Sequence, residues 1–259
     1  MGIHAEKQYG KYVLRTCHTV GEFRQVLQLQ KDVWNFVDIE LVPVRLFVVG
    51  EKIGGHVIGA WDGNELAGFA YGIPGYRNGH PYLHSHMLAV RPAHRNTGLG
   101  RAMKLFQRDI CLEMGLELME WTFDPLEIKN AFLNIEKLGA ITRRYTVNQY
   151  GITSSPLQGG LPSDRLTAEW WLKSKRVQTL LETGHTPKAS ATETIEVPAE
   201  IATWKANEAT RARAAELQSK NRELFQKHFT AGLSVVGYER DKHGNGRFLL
   251  GTWDESWNY

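Results

Sequence analysis

This sequence has few cysteines, no long apolar run and no recognisable N-terminal signal. Its two cysteines, Cys17 and Cys111, match neither a zinc-binding nor a Cys-x-x-Cys spacing, so we expect free thiols in a reducing compartment. The N-terminus has no apolar signal region, and Glu6 stands where myristoylation requires Ser or Thr. No apolar stretch approaches the roughly 20 residues that a membrane-spanning helix needs. We therefore expect a cytoplasmic protein with no membrane partner.

A strong excess of either charge is also missing. The 31 basic and 28 acidic side chains give a formal net charge of +3. This balance is too even to favour nucleic acid as a partner, because nucleic-acid-binding domains concentrate basic residues on one face. The ten histidines show no metal-ligand spacing, so we expect no bound metal. With 259 residues, of which 42% are hydrophobic, the chain can bury a core without disulfide or metal cross-links.

Hydrophobic periodicity predicts an α/β protein with strands and helices mixed along most of the chain. Strands are predicted at 11–18, 55–61, 65–72, 82–90, 116–123, 141–150 and 165–173. Helices are predicted from Thr19 or Gly21 to Val33, at 99–114 and at 126–138. The turn-forming residues of 72–81 predict a loop.

The composition changes after Lys173, which predicts three regions. Residues 1–175 form a core and 176–198 a linker or long loop. Residues 199–259 form a charged helix at 199–230, followed by a β-hairpin with strands at 233–240 and 247–253. A lone hairpin is marginal in water, so we expect this C-terminal extension to pack on the core. The extension could cover a substrate site, form a homodimer or brace the core.

The most specific motif is the loop Arg95-Asn96-Thr97-Gly98-Leu99-Gly100, between a predicted strand and a predicted helix. Glycines allow a tight turn and a close approach of the backbone to a ligand. The first N–H groups of the helix would point at that ligand, and the helix dipole favours an anion there. Arg95 and Arg101 add positive charge. A pyrophosphate fits these residues, although a turn whose glycines only cap and connect the two elements would have the same sequence.

Two other nucleotide-binding motifs do not fit the loop. A P-loop has Lys followed by Ser or Thr after its last glycine, whereas Arg101-Ala102 stands here. A Rossmann fingerprint has the wider Gly-x-Gly-x-x-Gly spacing and an acidic residue about 20 positions later. Neither pattern is present.

The segment from Leu88 to Gly100 resembles the acyl-CoA signature of the GNAT superfamily of N-acyltransferases, which is a strand, then Arg/Gln-x-x-Gly-x-Gly/Ala, then a helix. The order of elements from Lys11 to about Lys173 also resembles the GNAT core, which implies that fold with its mixed sheet. Further segments are similar to a subfamily of acyltransferases with a C-terminal extension: His84-Ser85-His86, Lys104-x-x-Gln107-Arg108, residues 121–126, Asn130-Ala131 and Asn134. Some members of that subfamily accompany racemases of N-acylated amino acids.

The resemblance implies how acyl-CoA would bind. The backbone of Leu88, Ala89 and Val90 would pair with the pantetheine arm like an added strand. The backbone N–H groups from Asn96 to Arg101 would bind the pyrophosphate. Asn130 and Asn134, at positions i and i+4 of one predicted helix, could hydrogen-bond the pantetheine, although two exposed asparagines would show the same spacing.

His84 and His86 are the candidate catalytic bases. They alternate along the strand that leads to the loop, so they share one face. Acyl transfer to an amine needs a base that takes a proton from the ammonium, and an imidazole titrates near neutrality. The pair resembles a His-x-His that precedes Leu-Ala-Val in another enzyme of the GNAT superfamily. Ordinary polar side chains satisfied by their neighbours are the alternative.

The general acid is harder to assign from the sequence. Many GNAT enzymes carry a tyrosine four residues before the glycine that ends the helix after the strand at 116–123. That position is Ile135 here, counted back from Gly139. Tyr145 on the next strand is a substitute, as is Tyr150, although each could simply pack.

These features predict an acyl-CoA-dependent N-acyltransferase that acts on the amine of a small molecule, an amino acid or a derivative. The acyl group could be acetyl or succinyl, and an unpaired arginine such as Arg143, Arg144 or Arg165 could bind a succinyl carboxylate. A non-catalytic CoA-binding or regulatory module is one alternative, and a protein N-acetyltransferase is another.

Overall fold

The computed structural model describes residues 3–188 and 190–254. The chain divides between Glu120 and Trp121 into two compact units. The predicted core, 1–175, therefore spans the first unit and part of the second.

From residue 3 onward, the first unit consists of a sheet, three α-helices and two short 3₁₀ turns (Asp38–Glu40 and Pro92–His94). Its elements are β1 (Glu6–Tyr9), β2 (Tyr12–Thr16), α1 (Val20–Trp34), α2 (Val44–Lys52), β3 (His56–Asp62), β4 (Glu65–Arg77), β5 (His80–Val90), α3 (Leu99–Glu113) and the start of β6 (Leu118–Phe123). The strands follow the order β1-β2-β3-β4-β5-β6. Neighbours from β1 to β5 are antiparallel, whereas β6 is parallel to β5.

The helices of this unit form where local sequence signals predict them. A capping box between Thr19 and Glu22 starts α1, because each side chain accepts a hydrogen bond from the other residue's backbone N–H. The apolar stripe Met103, Phe106 and Ile110 of α3 is buried, as its spacing predicts. The side chains of β3 and β4 alternate between two apolar clusters, one shared with α1 and α2 and the other with α3.

One predicted loop is instead part of two strands. Residues 72–81 extend β4 to Arg77 and begin β5 at His80, joined by a turn at Asn78-Gly79. Both turn residues have positive φ, 49° and 84°, as a tight hairpin turn requires. The glycine and proline residues that predict a loop lie in the hairpin itself, where pairing between the two strands overrides their low strand propensity.

In its described residues, 121–188 and 190–254, the second unit contains a five-stranded antiparallel array and four α-helices. Its elements are the end of β6, α4 (Ile128–Phe132), a π-helical turn (Leu133–Lys137), β7 (Ile141–Thr146), β8 (Arg165–Trp171), α5 (Lys175–Thr183), β9 (Glu193–Val197), α6 (Ile201–Ala206), α7 (Arg211–Thr230), β10 (Ser234–Arg240) and β11 (Gly246–Gly251). The array has the order β8-β7-β10-β11-β9.

Two parts of this unit differ from their sequence prediction. The predicted linker, 176–198, holds most of α5, which the Ser174 side chain caps, and all of β9. Pairing with β11 supplies backbone partners for β9 that no local pattern reveals. The single helix predicted at 199–230 is interrupted at Asn207, whose side chain accepts a hydrogen bond from Ala209 N. Along the two described ranges, no helix is both long and apolar enough to cross a membrane.

Candidate active site

The glycine loop joins β5 to α3 through two residues in left-handed backbone conformations. Asn96 has φ 62° and Gly98 has φ 81°, and Gly98 is the N-cap of α3. Thr97 Oγ1 donates a hydrogen bond to His94 O at 2.8 Å, and Arg95 Nε donates to Val90 O at 3.1 Å. These internal bonds hold the loop in a fixed conformation at the start of the helix.

The loop leaves a row of backbone donors unused. No side chain caps α3, and the N–H groups from Asn96 to Gly100 donate to no acceptor among the residues that the structure describes. The side chains from Arg95 to Thr97 are exposed, so an anion can reach the row. Unsatisfied N–H groups at a helix N-terminus form a favourable site for phosphate oxygens.

The loop lies directly beside the end of β5. A methyl group placed on Gly100 would lie 3.6 Å from Leu88 Cδ2 and 3.9 Å from Val90 Cγ2. On one side Leu88, Ala89 and Val90 pair with β4. Within the first unit, β5 pairs with the start of β6 through Leu83 with Met119 and His84 with Glu120.

The two candidate histidines lie together on β5. Their ring centroids are 5.9 Å apart. The register between β4 and β5 shifts here, since Tyr71 pairs with Met87 and Gly72 with Ser85, which leaves His86 as the extra residue of a β-bulge. The rings of His86 and Tyr71 are nearly perpendicular, with their centroids 6.0 Å apart.

The environment of His86 favours the neutral imidazole. The ring reaches the surface, but the neighbouring protein excludes enough water that desolvation lowers its pKa below the ordinary value of 6.5. A neutral imidazole has a lone pair that accepts a proton. The arrangement can therefore provide a base near neutral pH.

Tyr145, the predicted general acid, is held in a polar cluster of the second unit. Its hydroxyl donates to Asp164 Oδ2 at 2.6 Å, and the fully buried Asp164 also accepts from Arg222 Nε at 2.8 Å and from Asn148 N at 2.9 Å. Burial raises the Tyr145 pKa, and the Asp164 carboxylate raises it further. These contacts favour a structural role over proton donation.

The two candidate pantetheine-binding asparagines differ in their surroundings. Asn130 is exposed, whereas Asn134 is buried and its Nδ2 has no hydrogen-bond partner in the described part of the chain. The helix changes from α to π at Leu133, between the two residues. Ile135, which stands where many GNAT enzymes have tyrosine, is buried.

The three arginines proposed to bind an acyl carboxylate already have partners. Arg143 and Arg144 both contact the buried Glu169, at 3.0 and 3.2 Å. Arg165 donates to Gln158 Oε1 at 3.1 Å. An unpaired arginine for a succinyl group is therefore not found among these three.

Two contacts near the loop and the histidines carry no sequence signal. Tyr9 Oη on β1 donates to Thr97 O at 3.3 Å. Arg77, near the β4–β5 turn, forms a bidentate ion pair with the buried Glu120, which is the strand partner of His84. Both contacts join residues that are far apart in the sequence.

Within the described ranges, no group of three or more His, Cys, Asp or Glu side chains is placed to hold a metal ion.

The chain is similar to known acetyltransferases in part of its sequence and in its fold. Residues 23–134 match the family model described as the acetyltransferase (GNAT) family. A crystal structure from Desulfovibrio desulfuricans, assigned to the same family, is similar with a TM-score of 0.52 and 16% identity, over 62% of this chain and 99% of that one. Arabidopsis thaliana NAA60, crystallised with a bisubstrate analogue, is similar with a TM-score of 0.50 and 12% identity, over 62% and 97%.

At such identities the structural likeness is one of fold, and no curated protein sequence matches the chain. The fold class predicted from the sequence, a mixed α/β sheet of the GNAT type, is confirmed. The resemblance to the GNAT family is confirmed for residues 23–134, a segment that includes the glycine loop and both histidines. By its sequence over residues 23–134 and by its fold, the chain is thus similar to acetyltransferases of the GNAT family.

Proposed function

We propose that this protein transfers an acyl group from acyl-CoA to the amine of a small molecule, an amino acid or a derivative of one. The observation that carries the proposal is the row of unused N–H groups from Asn96 to Gly100, at the end of the strand that bears His84 and His86. An anion site and a candidate base thus belong to one continuous segment of the chain.

In this proposal the loop binds the pyrophosphate of acyl-CoA. The N–H groups from Asn96 to Gly100, with that of Arg101, hydrogen-bond the phosphate oxygens, and the side chains of Arg95 and Arg101 add positive charge. The backbone of Leu88, Ala89 and Val90 pairs with the pantetheine amides. Asn130 and Asn134 are proposed as further pantetheine contacts.

The chemistry then requires three proton transfers. His86 or His84 removes a proton from the substrate ammonium, directly or through water, and the free amine attacks the thioester carbonyl. A tetrahedral intermediate forms with a new C–N bond, its nitrogen loses a second proton to water, and the C–S bond breaks to release the CoA thiolate. The thiolate needs a proton, and an imidazolium formed in the first step can supply one. Tyr145 remains the other proposed acid, although its bond to Asp164 argues against it.

Acetyl-CoA and succinyl-CoA are both proposed donors. The pairing of Arg143 and Arg144 with Glu169 weakens the argument for succinyl, because both guanidinium groups already face a carboxylate. A cytoplasmic location and a homodimer stay predictions from the sequence.

A thiol-release screen tests the proposal. Acetyl-CoA and succinyl-CoA are each combined with D- and L-amino acids, and a short peptide with a free N-terminus serves as a separate arm. We expect release of CoA with at least one free amino acid, and a rise in melting temperature with the donor alone. Release only with the peptide would indicate a protein N-acetyltransferase. A thermal shift without thiol release across the panel would indicate a CoA-binding module, and no shift at millimolar acyl-CoA would refute the proposal.

A further inference from the structure

A chain of buried hydrogen bonds lies behind the histidine pair. Ser85, between His84 and His86, turns its side chain toward α3 and donates from Oγ to Gln107 Oε1 at 2.7 Å. Lys104 Nζ donates to the same Oγ at 2.7 Å. The other end of the Gln107 side chain meets His56 Nε2 on β3 at 3.1 Å.

The directions of these bonds are fixed by the chemistry of the groups. An ammonium or amine donates to Ser85, the serine hydroxyl donates to the amide oxygen of Gln107, and the amide nitrogen donates to His56 Nε2. The hydrogen on the His56 ring must then be on Nδ1, a buried atom without a partner among the described residues. Each hydrogen bond thus determines which atoms donate and accept in the next one.

The side chains of this hydrogen-bond network lie in the protein interior, where apolar side chains are usual. Lys104 is only 4% exposed and Gln107 and His56 are as deeply buried. Desolvation lowers the pKa of Lys104 well below its ordinary value. Burying such groups costs free energy compared with a well-packed apolar residue, so their presence is not explained by stability.

The network meets β5 at the place where pairing with β4 is disturbed. The bulge leaves His86 unpaired between the register positions of Ser85 and Met87. Gly72, opposite Ser85, makes room for the network, because a methyl group there would lie 2.9 Å from Gln107 Nε2. A bulge interrupts the backbone hydrogen bonds between two strands. The side-chain hydrogen bonds to Ser85 therefore hold this part of β5 in place.

We propose that Lys104 and Gln107 are positioning residues, which fix the bulge of β5 through Ser85 and so set the orientation of the imidazoles of His84 and His86. The proposal rests on the proposed function, in which these imidazoles act as bases. Neither Lys104 nor Gln107 touches substrate in this scheme.

The test compares Lys104→Met, Ser85→Ala, the double variant and the matched control Met103→Leu, a buried apolar change on the same helix. We expect each single network variant to lower kcat between about tenfold and 100-fold, because small misplacements of catalytic groups are costly. Kd for acyl-CoA should change less than twofold. The melting temperature of Lys104→Met should be unchanged or higher by about 3 °C, since a buried amine is removed. Met103→Leu should leave kcat within twofold.

The double variant separates positioning from packing. If Lys104 acts through Ser85, the double variant loses no more than the worse single variant, whereas independent effects on log kcat would add. Additive losses, or an unchanged kcat in folded Lys104→Met, would overturn the proposal.

A readout without activity keeps the test independent of the proposed function. The imidazole resonances of His84 and His86 should shift in both Lys104→Met and Ser85→Ala and stay in place in Met103→Leu. Unshifted resonances in the network variants would refute positioning even in an active enzyme. A wild-type protein that releases no thiol would refute the proposed function alone.

Discussion

The rings of His84 and His86 lie with their centroids 5.9 Å apart and their planes inclined by 41°. Two imidazoles thus lie at one place on β5, and replacing only one of them leaves the other in the site. A test of the proposed base therefore has to remove both rings together.

Replacing both histidines should abolish the base and leave the donor site intact. For His84→Gln/His86→Gln we expect kcat to fall about 10²- to 10⁴-fold, the usual contribution of general base catalysis, with Kd for acyl-CoA within twofold. Stopped-flow thiol release and calorimetric binding measure the two quantities. His80→Gln, an exposed histidine of the same strand, is the matched control. An equal loss of binding and turnover would instead assign the pair a structural role.

The pH dependence of kcat/KM should reflect the environment of His86. Because desolvation lowers its pKa from 6.5, the neutral base persists to a lower pH than an exposed histidine would. The acidic limb of the profile is thus expected to have its midpoint below 6.5. In His86→Gln this limb should move or vanish. A midpoint above 6.5 in the wild type would contradict the assignment.

Gly98 and Gly100 offer a matched test of the loop. In Gly98→Ala an L-residue must adopt φ 81°, at a cost of about 1–2 kcal/mol, and its Cβ would lie 2.6 Å from Tyr9 Oη. We expect Kd for acyl-CoA to rise about tenfold. In Gly100→Ala the new methyl group makes only ordinary van der Waals contacts. Kd for acyl-CoA should therefore stay unchanged, and the free energy of unfolding should rise by about 0.5–1 kcal/mol. The reverse order of effects would exclude the proposed anion site.

His56 should make stability depend on pH in the acidic range. Burial lowers its folded-state pKa to about 4, whereas the unfolded value is near 6.5, so the unfolded state binds the extra proton first as pH falls. The free energy of unfolding that the neutral His56 contributes is fully present above pH 6.5. It is lost between pH 6.5 and 4, by about 3 kcal/mol in total. Urea unfolding of the wild type and His56→Asn across this range should show a flatter curve for the variant. Parallel curves would contradict a neutral buried imidazole.

Tyr145→Phe distinguishes a structural hydroxyl from an acid. Loss of a hydrogen bond to the buried Asp164 carboxylate should lower stability by about 2 kcal/mol, while kcat stays within threefold. Thermal unfolding and thiol release measure both. If turnover instead fell about 100-fold with little change in melting temperature, Tyr145 would be restored as the general acid.

The parts of the site that could be predicted from the sequence depend on residues that are close together in the chain. The strand, loop and helix around Gly98 follow one another within the chain, and their geometry depends on glycine conformation and on helix ends. The shared face of His84 and His86 follows from strand alternation in the same way. The role of Tyr145 could not be assigned in this way. Its hydrogen bond to Asp164, the residue just before β8, depends on how β7 pairs with β8.

The predicted loop at 72–81 and linker at 176–198 show the same limit. Both have compositions typical of loops, yet pairing between β4 and β5 makes strands of most of the first, and pairing with β11 makes a strand of Glu193–Val197 in the second. Strand formation depends on a partner that is distant in the chain, whereas a turn or a helix cap depends on neighbours.

The sequence by itself determined the family-specific loop, the helix that follows it and the histidine pair, because all three are set by residues close together in the chain. Only the tertiary structure decided that His86 lies in a bulge and that Ser85 is bonded to Lys104 and Gln107, which are 19 and 22 positions away. Strand register and burial bring those groups together, and neither is encoded in any local spacing.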